Sequence, residues 1–212
     1  MERFEDFFLN DKVLKAMPWI FTVTTVIYVV MAFFSYGLES LLTTGIIDIL
    51  TAVMLFALVG SYAKHEKNVM KGLMGALMAF LLVRYIDIVI SSWRMTAEYI
   101  GFGLIFRSVI YSLILICFAV VFCNHFLLAR EHGGSTVKIR LNQGAVIILI
   151  GLDLALIVFN IVFSAQNVVD LTDSVITFMM LIGQIAVFNA IVCIESRLNI
   201  FKTLRTEEIE GI

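Results

Sequence analysis

The sequence predicts an all-α fold: a polytopic membrane protein built as a bundle of six transmembrane helices. Hydrophobic residues make up 61% of its 212 residues and charged residues 15%, where soluble domains have roughly 45–50% and about 25%. The mean hydropathy is +1.00. A single soluble core of this size cannot enclose so much apolar surface, so lipid must cover part of it. The spacing of the basic residues along the chain indicates the same class.

The predicted membrane domain covers residues 18–194 and is divided into six apolar segments. Each is long enough to cross the ~30 Å hydrocarbon core of a bilayer as a helix. Pro18 is the one proline of the chain, so we expect continuous helices rather than the broken helices of many transporters. The predicted spans are about 18–36, 41–62, 70–90, 104–128, 143–164 and 173–194.

Both ends of the chain are predicted to lie outside the bilayer core. Apolar residues recur at helical spacing between acids and lysines in residues 1–17, which indicates a short amphipathic helix on the cytoplasmic leaflet. Pro18 then predicts a turn into the first span, because the residue before a proline avoids the α region. Residues 195–212 form the predicted cytoplasmic C-terminal tail, for which a frayed extension of the last span is an equally good interpretation.

The basic residues predict the orientation of the bundle. Twelve of the 15 Lys and Arg residues lie in the N-terminal tail, the loops after spans two and four, and the C-terminal tail, with three in each. Arg94 is the one basic residue of the opposite loops, and an odd number of spans would break this alternation. Because basic loops stay on the cytoplasmic side, we expect a multi-pass protein of the plasma (inner) membrane with both termini cytoplasmic.

Four charged residues inside the spans predict a polar layer in the outer half of the bundle. An ionised side chain at the bilayer centre costs roughly 2.5–3.5 kcal/mol, so Asp48, Arg84, Asp87 and Arg107 need partners. Their depths agree and their charges cancel, which favours an ion-pair network facing the bundle interior. The network could line an outward-facing cavity or fix the register of the helices, and Asp87 and Arg107 could instead extend to the headgroups.

Asp153 lies near the middle of span five, where no basic residue of another span shares its depth. Gln184 of span six does share it. Desolvation disfavours the charged form of a carboxyl, so Asp153 should be protonated or should face water or a cation. The alternative is a protonated carboxyl that hydrogen-bonds a neighbouring helix. The candidate substrate- or ion-binding residues are Asp48, Arg84, Asp87, Arg107, Asp153 and Gln184.

Several chemistries are not expected. The sequence has no GxSxG or HExxH motif and no CxxC pair, so we expect no catalytic residues and no metal site. His65 and His132 fall in basic loops, and no histidine is expected at facing positions inside the bundle, so no cofactor such as haem is predicted. The scatter of basic residues matches the topology rule and gives no nucleic-acid surface. An enzyme is therefore not predicted, although a lipid-modifying activity stays open.

Two functions fit these features. A small-solute or ion transporter, or the membrane subunit of one, would use the charged groups inside the spans and predicts an interior cavity lined by them. A membrane sensor or scaffold that acts through partner proteins, without catalysis of its own, predicts a tightly packed interior. The expected partners are the lipid bilayer and either other membrane subunits or further copies of the chain.

The topology is testable by cysteine accessibility in a background without native cysteines. We expect Glu98→Cys to react with a membrane-impermeant maleimide in intact cells, because its loop lies outside. Glu5→Cys should react only after the membrane is permeabilised. Labelling of Glu5→Cys in intact cells would contradict the orientation.

Overall fold

A computed structural model of the chain describes the backbone of residues 10–36, 38–130, 136–164 and 168–210, and the side chains of 10–31, 33–34, 46–128, 137–162 and 175–198. The described residues form helices and their connections, which confirms the all-α fold class. Most of the predicted amphipathic segment 1–17 lies outside the described residues. The helices are α1 (Asp11–Tyr36), α2 (Leu38–Ala63), α3 (Lys67–Glu98), α4 (Phe102–Arg130), α5 (Thr136–Ser164) and α6 (Val168–Glu210).

All six helices are long and apolar enough to cross a bilayer, as a multi-pass membrane protein requires. Their outward faces carry exposed large apolar side chains, including Phe34, Val83 and Val162, a surface that suits lipid rather than water. The helices are longer than the predicted spans because helical hydrogen bonding continues past the apolar segments. Helix α6 has 43 residues, which at 1.5 Å per residue is roughly 64 Å.

The helices form a ring in which each packs against its neighbours in the chain. Helix α6 closes the ring against α1 and α5, and it also contacts α2 and α3. We call the end at which α1, α3 and α5 begin the terminal end, and the other the opposite end. Because α6 packs against these four helices and reaches the fifth, α4, through side chains, it is the central element of the bundle.

The sequence of α6 explains its central position. Every side chain in residues 186–197 is buried, so this stretch is enclosed on all sides. It is apolar around most of its circumference, as in Ala190, Ile191 and Val192, whereas a helix on the surface of the bundle needs contact on only one face. Buried Leu14 and Phe21 of α1 and Leu55 and Leu58 of α2 belong to the same core.

Pro18 does not form the turn that its sequence context predicts, because α1 runs through it from Asp11 to Tyr36. A proline inside a helix removes one backbone hydrogen bond. Burial of Leu14, one turn before it, and of Met17, the preceding residue, holds this stretch in the core and outweighs the local preference. Thr22 Oγ1 donates to the carbonyl oxygen of Pro18 at 2.8 Å and so occupies an acceptor next to the proline.

The connection between α2 and α3 is a tight Schellman turn. Glu66 N donates to Ser61 O at 2.9 Å and His65 N donates to Tyr62 O at 3.1 Å, the paired bonds of that motif. His65 takes a φ of 59°, a left-handed conformation in which glycine or asparagine is more usual. The turn sets α2 and α3 antiparallel and brings their polar residues to the same depth.

Helices α1 and α6 approach each other closely at Gly183. A Cβ added there would lie 3.1 Å from Thr24 Oγ1 and 3.4 Å from the Phe21 ring. The Thr24 hydroxyl donates to Ile20 O at 2.8 Å and to Phe21 O at 3.0 Å, which fixes its position. The absence of a side chain at Gly183 therefore permits this helix contact, as small residues do in membrane bundles.

We expect Gly183→Ala to destabilise the protein by about 1–3 kcal/mol, the usual cost of overpacking a core. The matched control is Gly151→Ala on the exposed face of α5, where an added Cβ meets nothing within 4 Å; it should be neutral or gain up to about 1 kcal/mol of helix propensity. Thermal unfolding in detergent measures both. A Gly183→Ala protein as stable as Gly151→Ala would contradict the close approach.

Candidate functional site

Asp48 and Arg84 form an ion pair between α2 and α3. Arg84 Nη1 donates to Asp48 Oδ1 at 2.6 Å. The Asp48 side chain is 4% exposed and that of Arg84 18%, so the carboxylate is enclosed and the guanidinium keeps a path to the surface. The pair is neutral as a unit, which lowers the cost of holding two charges in this part of the bundle.

Tyr85, the next residue on α3, links this pair to the central helix. Its hydroxyl donates to Gln184 Oε1 on α6, and the ring lies 4.5 Å from that of Phe118 on α4. Tyr85 is fully buried. A buried tyrosine needs a partner for its hydroxyl, and Gln184 supplies it, but Gln184 Nε2 has no partner among the described residues.

Asp153 on α5 is buried, and its Oδ1 has no hydrogen-bond partner in the described part of the chain. It is close enough to interact electrostatically with Tyr85, Tyr111 and Cys117. No described cation acts on Asp153 in the same way. An enclosed carboxyl without a cation partner is costly when charged, and among the described acids Asp153 is the one with a buried oxygen that lacks a hydrogen-bond partner.

The other two predicted site residues do not join the ion pair. Asp87 is exposed, about 60° around the helix from Arg84. Arg107 is half-buried on α4, and its Nε has no partner among the described residues. The structure thus brings together Asp48 and Arg84 and, through Tyr85, Gln184, but it does not form the predicted network of four charges.

The space beside this cluster is small. A cavity of about 10 Å³ lies next to Asp48, Arg84 and Gln184, which is room for about one water molecule. Thr25 of α1 lines it as well. It is the size of a hydration site and far below the several hundred Å³ of a typical small-molecule pocket.

An apolar layer separates this cluster from the terminal end. Phe118 of α4 packs edge-on against Phe188 of α6, with ring centroids 4.7 Å apart. Val146 and Leu149 of α5 and Ile191 of α6 are buried at this level and belong to the same core. We call these five residues the apolar plug. Every member is at most 4% exposed, so the plug is a buried apolar layer between this cluster and the terminal end.

Beyond the plug, the sequence reasoning missed a second polar cluster. His125 Nδ1 lies 2.5 Å from Glu195 Oε1, Asn142 Nδ2 donates to Glu195 Oε2 at 3.0 Å, and Asn124 Nδ2 donates to Asn142 Oδ1 at 2.8 Å. All four side chains are buried. His125 is therefore a buried histidine that the sequence did not single out.

Glu195 was assigned to the C-terminal tail because the apolar segment of span six ends just before it. The available signal was the buried face of the extended helix. Gln184, Phe188, Ile191 and Glu195 follow one another at four, three and four residues, the spacing of a single helix face. Continuing this spacing past residue 194 would have placed Glu195 inside.

Arg197 ends the buried stretch of α6. Its Nη1 donates to Asp11 Oδ1 at 2.5 Å, and its guanidinium lies 5.3 Å from the centre of the Tyr62 ring, within the range of a cation–π contact. These contacts tie the end of the central helix to the start of α1 and the end of α2.

Comparisons with protein-family models, with curated proteins and with solved structures found no match for this chain.

We expect the Asp48–Arg84 pair to show strong coupling in a double-mutant cycle. Arg84→Gln leaves a buried carboxylate unpaired and should cost about 3 kcal/mol, whereas Asp48→Asn leaves a partly exposed guanidinium and should cost less. The double variant should be more stable than the sum of the single changes predicts. Unfolding in mixed detergent micelles measures the cycle.

Asp87→Asn is the control for that cycle, since the side chain is exposed and should change stability by less than about 0.5 kcal/mol. Strictly additive effects of Asp48→Asn and Arg84→Gln would contradict the pairing.

Proposed function

We propose that the chain is a small-solute or ion transport protein of a membrane, or the membrane subunit of one, in which Asp153 takes up and releases a proton. The observation that carries the proposal is the buried Oδ1 of Asp153, which has no hydrogen-bond partner in the described part of the chain. Ionisable residues inside membrane bundles commonly belong to ion pathways or proton relays.

The neighbouring ion pair supports Asp153 as the group that changes charge. Asp48 and Arg84 already neutralise each other at 2.6 Å, so neither gains from taking up or losing a proton while the pair stays formed. Asp153 has no such partner, and a bound proton removes the cost of its charge. Of the acids in this layer, Asp153 is therefore the one suited to carry a proton.

The apolar plug supports a closed state of a transport protein. Two polar clusters lie on opposite sides of Phe118 and Phe188, and Gln184 and Glu195 are eleven residues apart on α6, or roughly 16 Å. Hydrophobic constrictions of this kind stop conduction by excluding water. Transport would then require α6 to shift against α4 and α5, so that water reaches one cluster at a time.

The test is proton flux into liposomes that contain the purified protein and a pH-sensitive dye, driven by a K⁺ gradient with valinomycin. The wild-type protein should acidify the lumen. Asp153→Asn keeps the shape of the side chain but cannot exchange a proton, so it should lower the rate at least about tenfold, since removal of a proton-transfer group commonly costs 10²–10⁴.

Asp87→Asn is the matched control, because it removes an exposed carboxyl from the same half of the bundle and should leave the flux unchanged. Equal flux in wild type and Asp153→Asn would refute the role of Asp153.

A second candidate function is a sensor or scaffold that acts through partner proteins and has no catalysis of its own. The tight interior favours it, since the space beside Asp48 holds only about one water. An open apolar groove of about 520 Å³ also lies between α4 and α5, lined by Phe106, Leu154, Val158 and Phe159 among others. Absence of flux in all three proteins, each folded, would favour this candidate.

A further inference from the structure

The cluster at the terminal end has a feature that helix packing alone does not require. It is centred on the His125–Glu195 pair, in which His125 Nδ1 and Glu195 Oε1 are 2.5 Å apart and the side chains are 7% and 6% exposed. The second carboxyl oxygen accepts from Asn142 at 3.0 Å. Both carboxyl oxygens are therefore engaged, one of them by an imidazole nitrogen that can carry a proton.

We propose that His125 and Glu195 form a proton-binding site at the terminal end of the bundle. With the proton bound, the pair is a protonated imidazole against a carboxylate, which is neutral overall. Release breaks an imidazole N–H bond, passes the proton to water, and leaves a neutral imidazole beside a negative carboxylate. Burial favours the neutral form of the pair, so the site holds its proton while the cluster is closed and releases it when water enters.

Several other charged and titratable groups lie around this pair. Arg197 stands two residues after Glu195; its Nη1 is engaged by Asp11 at 2.5 Å, and its buried Nε and Nη2 have no partner among the described residues. Lys138, one turn before Asn142 on α5, is half-buried and has interactions of its own. Other titratable groups near this level are Lys15 on α1, Tyr62 on α2, Lys71 on α3, Cys123 on α4, Arg140 on α5 and Cys193 on α6. The Lys and Arg residues among them are exposed and Cys193 is buried.

The second imidazole nitrogen packs against α3. A Cβ built on Gly75 of α3 would lie 3.9 Å from His125 Nε2, so this nitrogen faces a position without a side chain.

The site lies on the opposite side of the apolar plug from Asp153. On α5, Asn142 and Asp153 are eleven residues apart and share a helix face with Val146 and Leu149. One step of the inference rests on the proposed function, namely that Asp153 and the His125–Glu195 site exchange the same proton in turn as the plug opens. The proton-binding site itself stands without that step.

The test is ¹⁵N NMR of the imidazole in a protein with His125 as its single histidine, made by His65→Asn and His132→Asn. Asparagine suits the left-handed position of His65. At neutral pH the ring should carry protons on both nitrogens. In Glu195→Gln it should carry one, because the carboxylate that stabilises the charged ring is gone.

Ser196→Ala is the matched control, since it removes the neighbouring hydrogen bond from Gln143 at 3.3 Å and should leave the ring signal unchanged. A singly protonated ring in the Glu195 protein overturns the proposal, and that outcome needs no Glu195 variant to fold. A ring signal that Glu195→Gln does not alter overturns it equally.

Flux separates this inference from the proposed function. Glu195→Gln should lower proton flux at least about tenfold, with Ser196→Ala unchanged. If the His125 ring is doubly protonated in the protein with Glu195 but Glu195→Gln keeps the wild-type flux, the proposed proton exchange between the two sites is overturned. If the His125 ring is doubly protonated but Asp153→Asn leaves the flux unaltered, the proton-binding site at the terminal end stands and the role of Asp153 is rejected.

Discussion

Hydrocarbon offers no hydrogen bonds, so every polar group of the central helix α6 depends on the helices around it. That constraint organises the bundle. Gln184 is met by Tyr85 of α3, Glu195 by His125 of α4 and Asn142 of α5, and Arg197 by α1 and α2. Together these contacts hold α6 to all five other helices, while the apolar plug between them fills the remaining volume.

The fold was predictable because hydropathy and length act on whole segments. About twenty apolar residues are needed to cross a bilayer, and six segments satisfy that requirement. The ends of the helices were less predictable, because a helix continues wherever backbone hydrogen bonds and burial favour it. Pro18 illustrates this, since its local preference for a turn was outweighed by the buried contacts of Leu14 and Met17.

The candidate site was predictable only in part. The sequence gives the depth of a residue in the bilayer, but the direction of its side chain around the helix axis has meaning only when the neighbouring helices are known. Asp48 and Arg84 share a depth and a seam, and they pair at 2.6 Å. Asp87 shares the depth but faces outward. His125 and Glu195 were missed because they lie near the ends of apolar segments, where side chains are usually solvated. They are buried because α6 continues as a packed helix past the end of its apolar segment.

The two polar clusters differ in how completely they are satisfied, and that difference bears on function. At the terminal end, the Glu195 carboxyl has partners for both oxygens. Toward the opposite end, buried polar atoms of Arg107, Asp153, Asn160 and Gln184 lack partners among the described residues, and at the terminal end so do Nε and Nη2 of Arg197. Because each unmade bond in a buried site costs about 1–3 kcal/mol, both ends gain from admitting water or an ion, one at the acid Asp153 and the other at the cation Arg197. The apolar plug between them has no polar side chain to hydrate, so the two ends are hydrated separately.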